Sequence, residues 1–134
     1  MPAADVFFDT NVLLYLLSND AAKADRAEAL LAAGGVISVQ VLNEFASVAI
    51  GKKAVNFAEP REILSTFREI CTVTVVDVET HERGLDVAER CRFSVYDSLI
   101  VAAAVRADCS TLYAEDLQHG QTIDQLTIRN PFAN

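Results

Sequence analysis

Short apolar segments alternate with longer segments of helical periodicity along almost the whole chain, and this alternation limits the possible folds. Strand-like runs cover residues 5–8, 36–38, 72–76, 111–114 and 122–128. Helical patterns cover residues 11–17, 20–33, 39–51, 60–70, 79–92 and 95–107. Strands that alternate with helices predict an α/β fold, a three-layer sandwich in which a mostly parallel central sheet is flanked by helices on both faces.

The composition favours one globular domain that spans residues 1–134. Hydrophobic residues make up 51% and charged residues 22%, and no repeat or Pro/Gly-rich linker divides the chain. The longest apolar runs, residues 99–105 and 12–17, are much shorter than the roughly 18 residues that a membrane span needs. Asp5 and Asp9 stand where a secretory leader would carry Lys or Arg. We therefore expect a cytoplasmic protein without a membrane span.

The cysteines and the net charge narrow the function further. Cys71, Cys91 and Cys109 are odd in number and lack C-x-x-C spacing, which predicts buried free thiols instead of a disulfide framework or a zinc site. The net charge of −8 disfavours binding of nucleic acid by bulk electrostatics. Binding of phosphates remains compatible with this charge if some acids are gathered in one pocket with a divalent metal.

Three acids interrupt apolar segments: Asp9 within residues 6–14, Glu44 within 41–46 and Asp97 within 95–101. A buried, unpaired carboxylate costs several kcal/mol, so such acids are expected to be paired or metal-bound, and no neighbouring Lys or Arg is available.

A fourth acid, Asp116, follows the strand-like run 111–114, much as Asp9 follows the run 5–8. Ligands gather at the carboxyl ends of parallel strands, so the four acids are expected to converge there and to raise one another's pKa by repulsion. Oxygen ligands without His or Cys suit Mg²⁺ or Mn²⁺, which can promote phosphodiester hydrolysis. Taken one at a time, the acids also have structural explanations: Asp9 as a helix cap, Asp97 as the capping-box partner of Ser94, and Glu44 as an exposed helical residue.

Four segments of the chain resemble the signature segments of the PIN-domain family, and they occur in the family's order. They are residues 8–15 (FDTNVLLY), 38–45 (SVQVLNEF), 96–104 (YDSLIVAAA) and 112–120 (LYAEDLQHG). Within this family, the segments resemble those of VapC-type toxins. The resemblance implies that Asp9, Glu44, Asp97 and Asp116 are the catalytic and metal-binding acids, and that Thr10 or Asn11 orients ligands or substrate. The sequence departs from the pattern at Ala114, where many relatives carry Ser or Thr, so a hydroxyl contact is not expected there.

The same resemblance implies an Mg²⁺- or Mn²⁺-dependent endoribonuclease that hydrolyses RNA and acts as the toxin of a toxin–antitoxin pair. Asp9 and Asp97 would be the principal metal ligands, Glu44 and Asp116 would complete the set directly or through water, and either Glu44 or Asp116 would orient the attacking water. It also implies a homodimer and a cognate antitoxin that covers the site.

Other interpretations remain open at this point. Residues 8–11 resemble the first motif of aspartyl-phosphate phosphatases of the haloacid dehalogenase type, although Asn11 stands where that motif needs a second Asp. A non-catalytic acidic module that binds an Arg-rich partner is the other alternative. His81 and His119 are isolated, and surface or loop roles are favoured for both. A solvated face is likewise favoured over RNA contact for four basic residues, Lys52, Lys53, Arg61 and Arg68.

Overall fold

The computed structural model describes residues 5–51 and 56–133. The strands are β1 (Val6–Phe8), β2 (Gly35–Ser38), β3 (Cys71–Thr74), β4 (Thr111–Tyr113), β5 (Thr122–Ile123) and β6 (Leu126–Arg129). The helices are α1 (Thr10–Leu14), α2 (Ala21–Ala32), α3 (Val39–Ile50), α4 (Ala58–Ile70), α5 (Val78–Cys91) and α6 (Val95–Arg106), and a 3₁₀ turn, Tyr15–Leu17, follows α1. None of the helices in these two ranges is long and apolar enough to cross a membrane.

The strands form one sheet in the order β3-β2-β1-β4-β6-β5. All neighbouring pairs are parallel except β5 and β6, which form an antiparallel hairpin. The predicted α/β fold with a mostly parallel central sheet flanked by helices is confirmed. The chain runs from β1 outward to β2 and β3, and then returns to place β4 on the other side of β1. The boundary between β1 and β4 is therefore the switch point at which α/β sheets commonly bind ligands.

The central strand is buried because helices pack on the sheet. Phe7 and Phe8 of β1 are both fully buried, as expected for a parallel strand covered on both faces. Phe45 of α3 and Phe67 of α4 pack edge to face with ring centroids 4.8 Å apart. These side chains belong to a hydrophobic core that also includes apolar residues of α6 and β4.

The predicted strand bounds differ from the structure by one residue at several ends and by more at two places. The run 122–128 is not one strand, because it turns back at Asp124-Gln125, where Asp124 takes the left-handed conformation (φ 54°). The amide of Gln125 donates to the carbonyls of Val105 and Cys109, which holds this turn against the end of α6. Strand β3 ends at Thr74 and not at residue 76, because its partner β2 ends opposite it at Ser38, where α3 begins.

The thiols follow the prediction with one difference. Cys71 and Cys91 are free thiols, and Cys71 and Cys109 are buried. Burial raises the pKa of both thiols to about 11. Cys91 is only partly buried, because it lies in the last turn of α5.

Candidate active site

Asp9 lies directly after β1 and caps helix α1. Its backbone is extended, and its Oδ1 accepts a hydrogen bond of 2.8 Å from the backbone N–H of Thr10. The residue is only 7% exposed because it sits between the buried strand and the buried first turn of the helix. The structural interpretation of Asp9 as a helix cap is therefore correct, and it does not exclude a second role.

The pKa of Asp9 is raised from the usual 3.8 to about 7. Burial is the largest cause, the hydrogen bond from Thr10 opposes it, and the charges of Asp97, Glu44 and Asp116 raise the pKa further. The structure thus brings the four predicted acids within electrostatic reach of one another at the switch point. Sequence reasoning attributed the shift to mutual repulsion, whereas burial contributes more for Asp9.

Two side chains in the first turn of α1 donate hydrogen bonds to two of the other acids. Thr10 Oγ1 donates to Glu44 Oε1 at 2.6 Å, and Asn11 Nδ2 donates to Asp116 Oδ2. Thr10 is buried, whereas Asn11 and Asp116 are exposed. Thr10 and Asn11 therefore both orient acidic side chains. Glu44 is half-buried, so its interpretation as an exposed helical residue is wrong.

Asp97 lies in the first turn of α6, where its backbone N–H donates to Ser94 Oγ at 3.1 Å. The predicted cap is present. Within the described ranges no residue donates a hydrogen bond to the Asp97 carboxylate, so the reciprocal half of the capping box is missing. The Asp97 carboxylate remains available to the site.

Gln40 joins the helices that carry Glu44 and Asp97, a role that sequence reasoning missed. Its Nε2 donates to Glu44 Oε2 and to the carbonyl of Tyr96, both at 3.1 Å. The four-residue spacing between Gln40 and Glu44 on one helix is the signal that could have indicated the first contact.

Glu115 is a second missed residue, and it does not join the acidic group. Tyr15 OH donates to Glu115 Oε1, and Lys23 Nζ donates to Glu115 Oε2 at 3.0 Å and to Tyr15 OH at 3.2 Å. These hydrogen bonds, that of Tyr15 foremost, lower the pKa of Glu115 against the opposing effect of burial. Its charge is therefore compensated, although it stands next to Asp116.

The remaining candidates lie outside the acidic group. His119 Nδ1 accepts from the backbone N–H of Asn130 at 2.9 Å, and His81 is exposed, which agrees with loop and surface roles. Arg61 and Arg68 are exposed on α4, and Lys52 and Lys53 lie outside the described residues. Ala114 is fully buried and donates its N–H to the carbonyl of Arg129, so this position offers only backbone contacts.

The donor chemistry of the four carboxylates suits a hard divalent cation. As they are placed, no three Asp, Glu, His or Cys side chains of the described ranges form a ready-made metal cluster. The side chains of Thr10 and Asn11 donate hydrogen bonds to Glu44 and Asp116. In the described parts of the chain, no side chain donates to Asp9 or Asp97, and Asp9 accepts only from the backbone N–H of Thr10. The oxygen donors of the four acids therefore match the preference of such an ion. Asp9 and Asp97 are the two carboxylates that are not hydrogen-bonded to another side chain.

A mostly parallel sheet with one buried carboxylate and three further acids near its switch point defines a class of α/β proteins with an acidic site. Residues 6–122 match the family model described as PIN domain. The chain belongs to the PIN-domain family, and this assignment removes the main ground for the phosphatase alternative.

Three solved structures have a similar fold. A toxin–antitoxin complex from Klebsiella pneumoniae matches with a TM-score of 0.72 at 22% identity, over 95% of this chain and 98% of that chain. VapC20 of Mycobacterium tuberculosis, described as a Sarcin-Ricin loop cleaving toxin, matches with a TM-score of 0.66 at 18% identity, over 83% and 89%. VapBC2 of Rickettsia felis, bound to a DNA fragment from its promoter, matches with a TM-score of 0.65 at 18% identity, over 92% and 96%. No curated protein sequence matches closely enough to count as a relative.

Proposed function

We propose that residues 1–134 form a single PIN domain that acts as a metal-dependent endoribonuclease, the toxin of a toxin–antitoxin pair. The main support is the acidic group itself. Asp9 is buried among Asp97, Glu44 and Asp116, and none of the four forms an ion pair with a Lys or Arg of the described ranges. Unpaired acids that are buried or brought together lower the stability of the folded state unless a bound cation compensates their charge. The similar structures, which are toxins or toxin–antitoxin complexes, add support.

In this proposal Asp9 and Asp97 hold Mg²⁺ or Mn²⁺, and Glu44 and Asp116 complete the ligand set directly or through water. The ion, when bound, supplies charge neutralisation at the scissile phosphate and a lowered pKa for a bound water. Thr10 keeps Glu44 in place, and Asn11 keeps Asp116 in place, through the hydrogen bonds described above. Glu44 or Asp116 orients the attacking water, and the buried floor of the site at Asp9 limits access of bulk solvent.

The test is Asp97→Asn, because an amide has the shape of the carboxylate but lacks the charge that holds a cation. The wild-type protein should cleave structured RNAs with Mg²⁺ or Mn²⁺ and stop with EDTA, and the variant should cleave none. Asp108→Asn is the matched control, because it makes the same change at an exposed residue beyond the other end of α6. Undiminished cleavage by Asp97→Asn, in a preparation free of contaminating nuclease, would contradict the assignment. A wild-type protein without divalent-dependent cleavage would favour the non-catalytic acidic module.

The proposal includes a cytoplasmic homodimer and an antitoxin partner that covers the site. We expect the antitoxin to present a cation, most simply Arg, to the acidic group, because a guanidinium pairs with carboxylates through two hydrogen bonds. Exposed apolar side chains next to Glu44, among them Val39, Val75 and Tyr96, offer a surface for the rest of such a segment. Inhibition of RNA cleavage should disappear when the Arg and Lys residues of the antitoxin are replaced. An inhibitor that keeps its full effect without them would contradict this prediction.

A further inference from the structure

A second cavity lies beside the acidic group, next to Asn11. It has a volume of about 340 Å³ and is lined by Asn11, Leu14, Tyr15, Ser18 and Glu115. Asn11 connects it to the acidic group, because the same side chain that lines the cavity donates to Asp116 Oδ2. The volume is within the range of pockets that bind small molecules.

The walls of this cavity combine hydrogen-bonding groups with apolar surface. The amide of Asn11, the hydroxyl of Ser18 and the carboxylate of Glu115 line it together with Tyr15 and Leu14. Of the residues that the structure describes, no Lys or Arg lines this cavity, and the carboxylate of Glu115 does, so the cavity is unsuited to a phosphate group. Donors and acceptors next to an aromatic side chain are the usual means by which proteins bind an unstacked base and the ribose hydroxyls of RNA.

One wall of the cavity is held rigidly. Tyr15 OH donates to Glu115, Lys23 Nζ lies 4.6 Å from the centroid of the Tyr15 ring, and the ring of Phe132 packs edge to face on Tyr15 at 4.6 Å. A wall fixed in advance loses little entropy when a ligand binds, which favours selective binding. The cavity of about 510 Å³ beside Glu44 is different, because its lining is mostly apolar and suits a protein segment better than a nucleoside.

We infer that the cavity lined by Asn11, Tyr15, Ser18 and Glu115 binds one nucleoside of the RNA strand, its base and ribose, next to the phosphodiester that is cleaved. This inference rests on the proposed ribonuclease function. The nucleoside in the cavity and the phosphate at the acidic group are held on the two sides of Asn11. The cavity therefore selects which bond of a single strand is cut.

The first experiment uses the unmodified full chain with a single-stranded RNA whose cleavage point has been mapped. A series of the same oligonucleotide carries one abasic ribose at each successive position. Removal of the base at a single position adjoining the cleaved bond should lower kcat/KM about tenfold or more, the loss typical of one stacked base. Equal cleavage throughout the series would overturn the inference.

The second experiment fills the cavity with Ser18→Met and uses Ser65→Met as a matched control on the exposed face of α4. Ser18→Met should raise KM for the intact RNA about tenfold and should no longer respond to the critical abasic position. Ser65→Met should behave like the wild type in both respects. A melting curve shows whether Ser18→Met is folded, and if it is not, the abasic series on the wild type decides alone.

The outcomes separate the two proposals. RNA cleavage that needs a divalent ion but ignores the bases overturns this inference and leaves the ribonuclease proposal intact. A complete lack of cleavage in the wild type overturns both. If Ser18→Met keeps the wild-type dependence on the base and instead escapes inhibition by the antitoxin, the cavity belongs to a protein partner and the inference is wrong.

Discussion

Asp9 combines two properties that conflict in the metal-free protein. As the N-cap of α1 it stabilises the helix, because its Oδ1 accepts from the backbone N–H of Thr10. As a buried carboxylate it is costly to ionise, and its pKa is raised to about 7. Asn caps a helix as well as Asp does and carries no charge. Asp9→Asn therefore separates the cap from the charge.

The expected result is a pH-dependent gain in stability for Asp9→Asn without metal. Between about pH 4 and pH 7 the folded wild type holds a proton on Asp9 that the unfolded chain has lost, so the free energy of unfolding of the wild type falls as the pH rises. Asp9→Asn has no carboxyl group at this position, so its free energy of unfolding does not fall for this reason. In denaturant titrations with EDTA, the advantage of the variant should grow from pH 4 to pH 7 and then stay constant.

The exposed control for this experiment is again Asp108→Asn, which should shift stability little at any pH. If the free energies of unfolding of the wild type and Asp9→Asn differ by the same amount at every pH, burial does not disfavour the charged form of Asp9.

At the scale of elements, the start of α6 decides where Asp97 stands. Ser94 Oγ accepts from the backbone N–H of Asp97, and this caps the helix. Helix α6 also packs closely on α5, where Gly84 lets the side chain of Leu99 approach: a Cβ at Gly84 would lie 2.7 Å from Leu99 Cδ2. The cap and this close packing together fix the first turn that carries Asp97.

Removal of the cap by Ser94→Ala should lower the free energy of unfolding by about 1 kcal/mol, because the N–H of Asp97 loses its acceptor. RNA cleavage should fall severalfold as well, since the turn that carries Asp97 is less well fixed. Ser94→Thr keeps a capping hydroxyl and should retain most of both properties. Stability from chemical denaturation and initial cleavage rates for the two variants test this. If Ala and Thr give equal results, the cap does not position Asp97.

For the whole molecule, the sheet topology decides where the negative charge is concentrated. The chain has 19 Asp and Glu against 11 Lys and Arg, and four of the acids meet at the boundary between β1 and β4. The arrangement should be unstable without a cation and stabilised by one, because ligand that binds only the folded state adds to its stability.

Mg²⁺ or Mn²⁺ should therefore raise the melting temperature, at constant ionic strength. The expected stabilisation is about 2.7 kcal/mol when the free ion reaches about a hundred times its dissociation constant. Asp97→Asn should melt higher than the wild type in EDTA, because one charge near Asp9 is gone, and should gain less from the ion. If the variant instead melts lower in EDTA and responds to Mg²⁺ as the wild type does, Asp97 is only a structural residue.

The sequence by itself determined the α/β class, the cap at Ser94 and the four acids. These features are local: a carboxylate inside an apolar run, or a Ser before a helical pattern, can be recognised without knowledge of distant contacts. The order of the strand-like runs then predicted that Asp9 and Asp116 would emerge at the same edge of a parallel sheet.

The tertiary structure decided which groups hold the acids and how strongly each is buried. The hydrogen bonds from Thr10 to Glu44, from Asn11 to Asp116 and from Lys23 to Glu115 join residues 34, 105 and 92 positions apart. It also decided that β3 ends at Thr74, because a strand needs a partner, and that burial is the largest cause of the raised pKa of Asp9. Contacts between distant residues and the exclusion of solvent from a side chain depend on how the whole chain packs. A local sequence pattern determines neither of them.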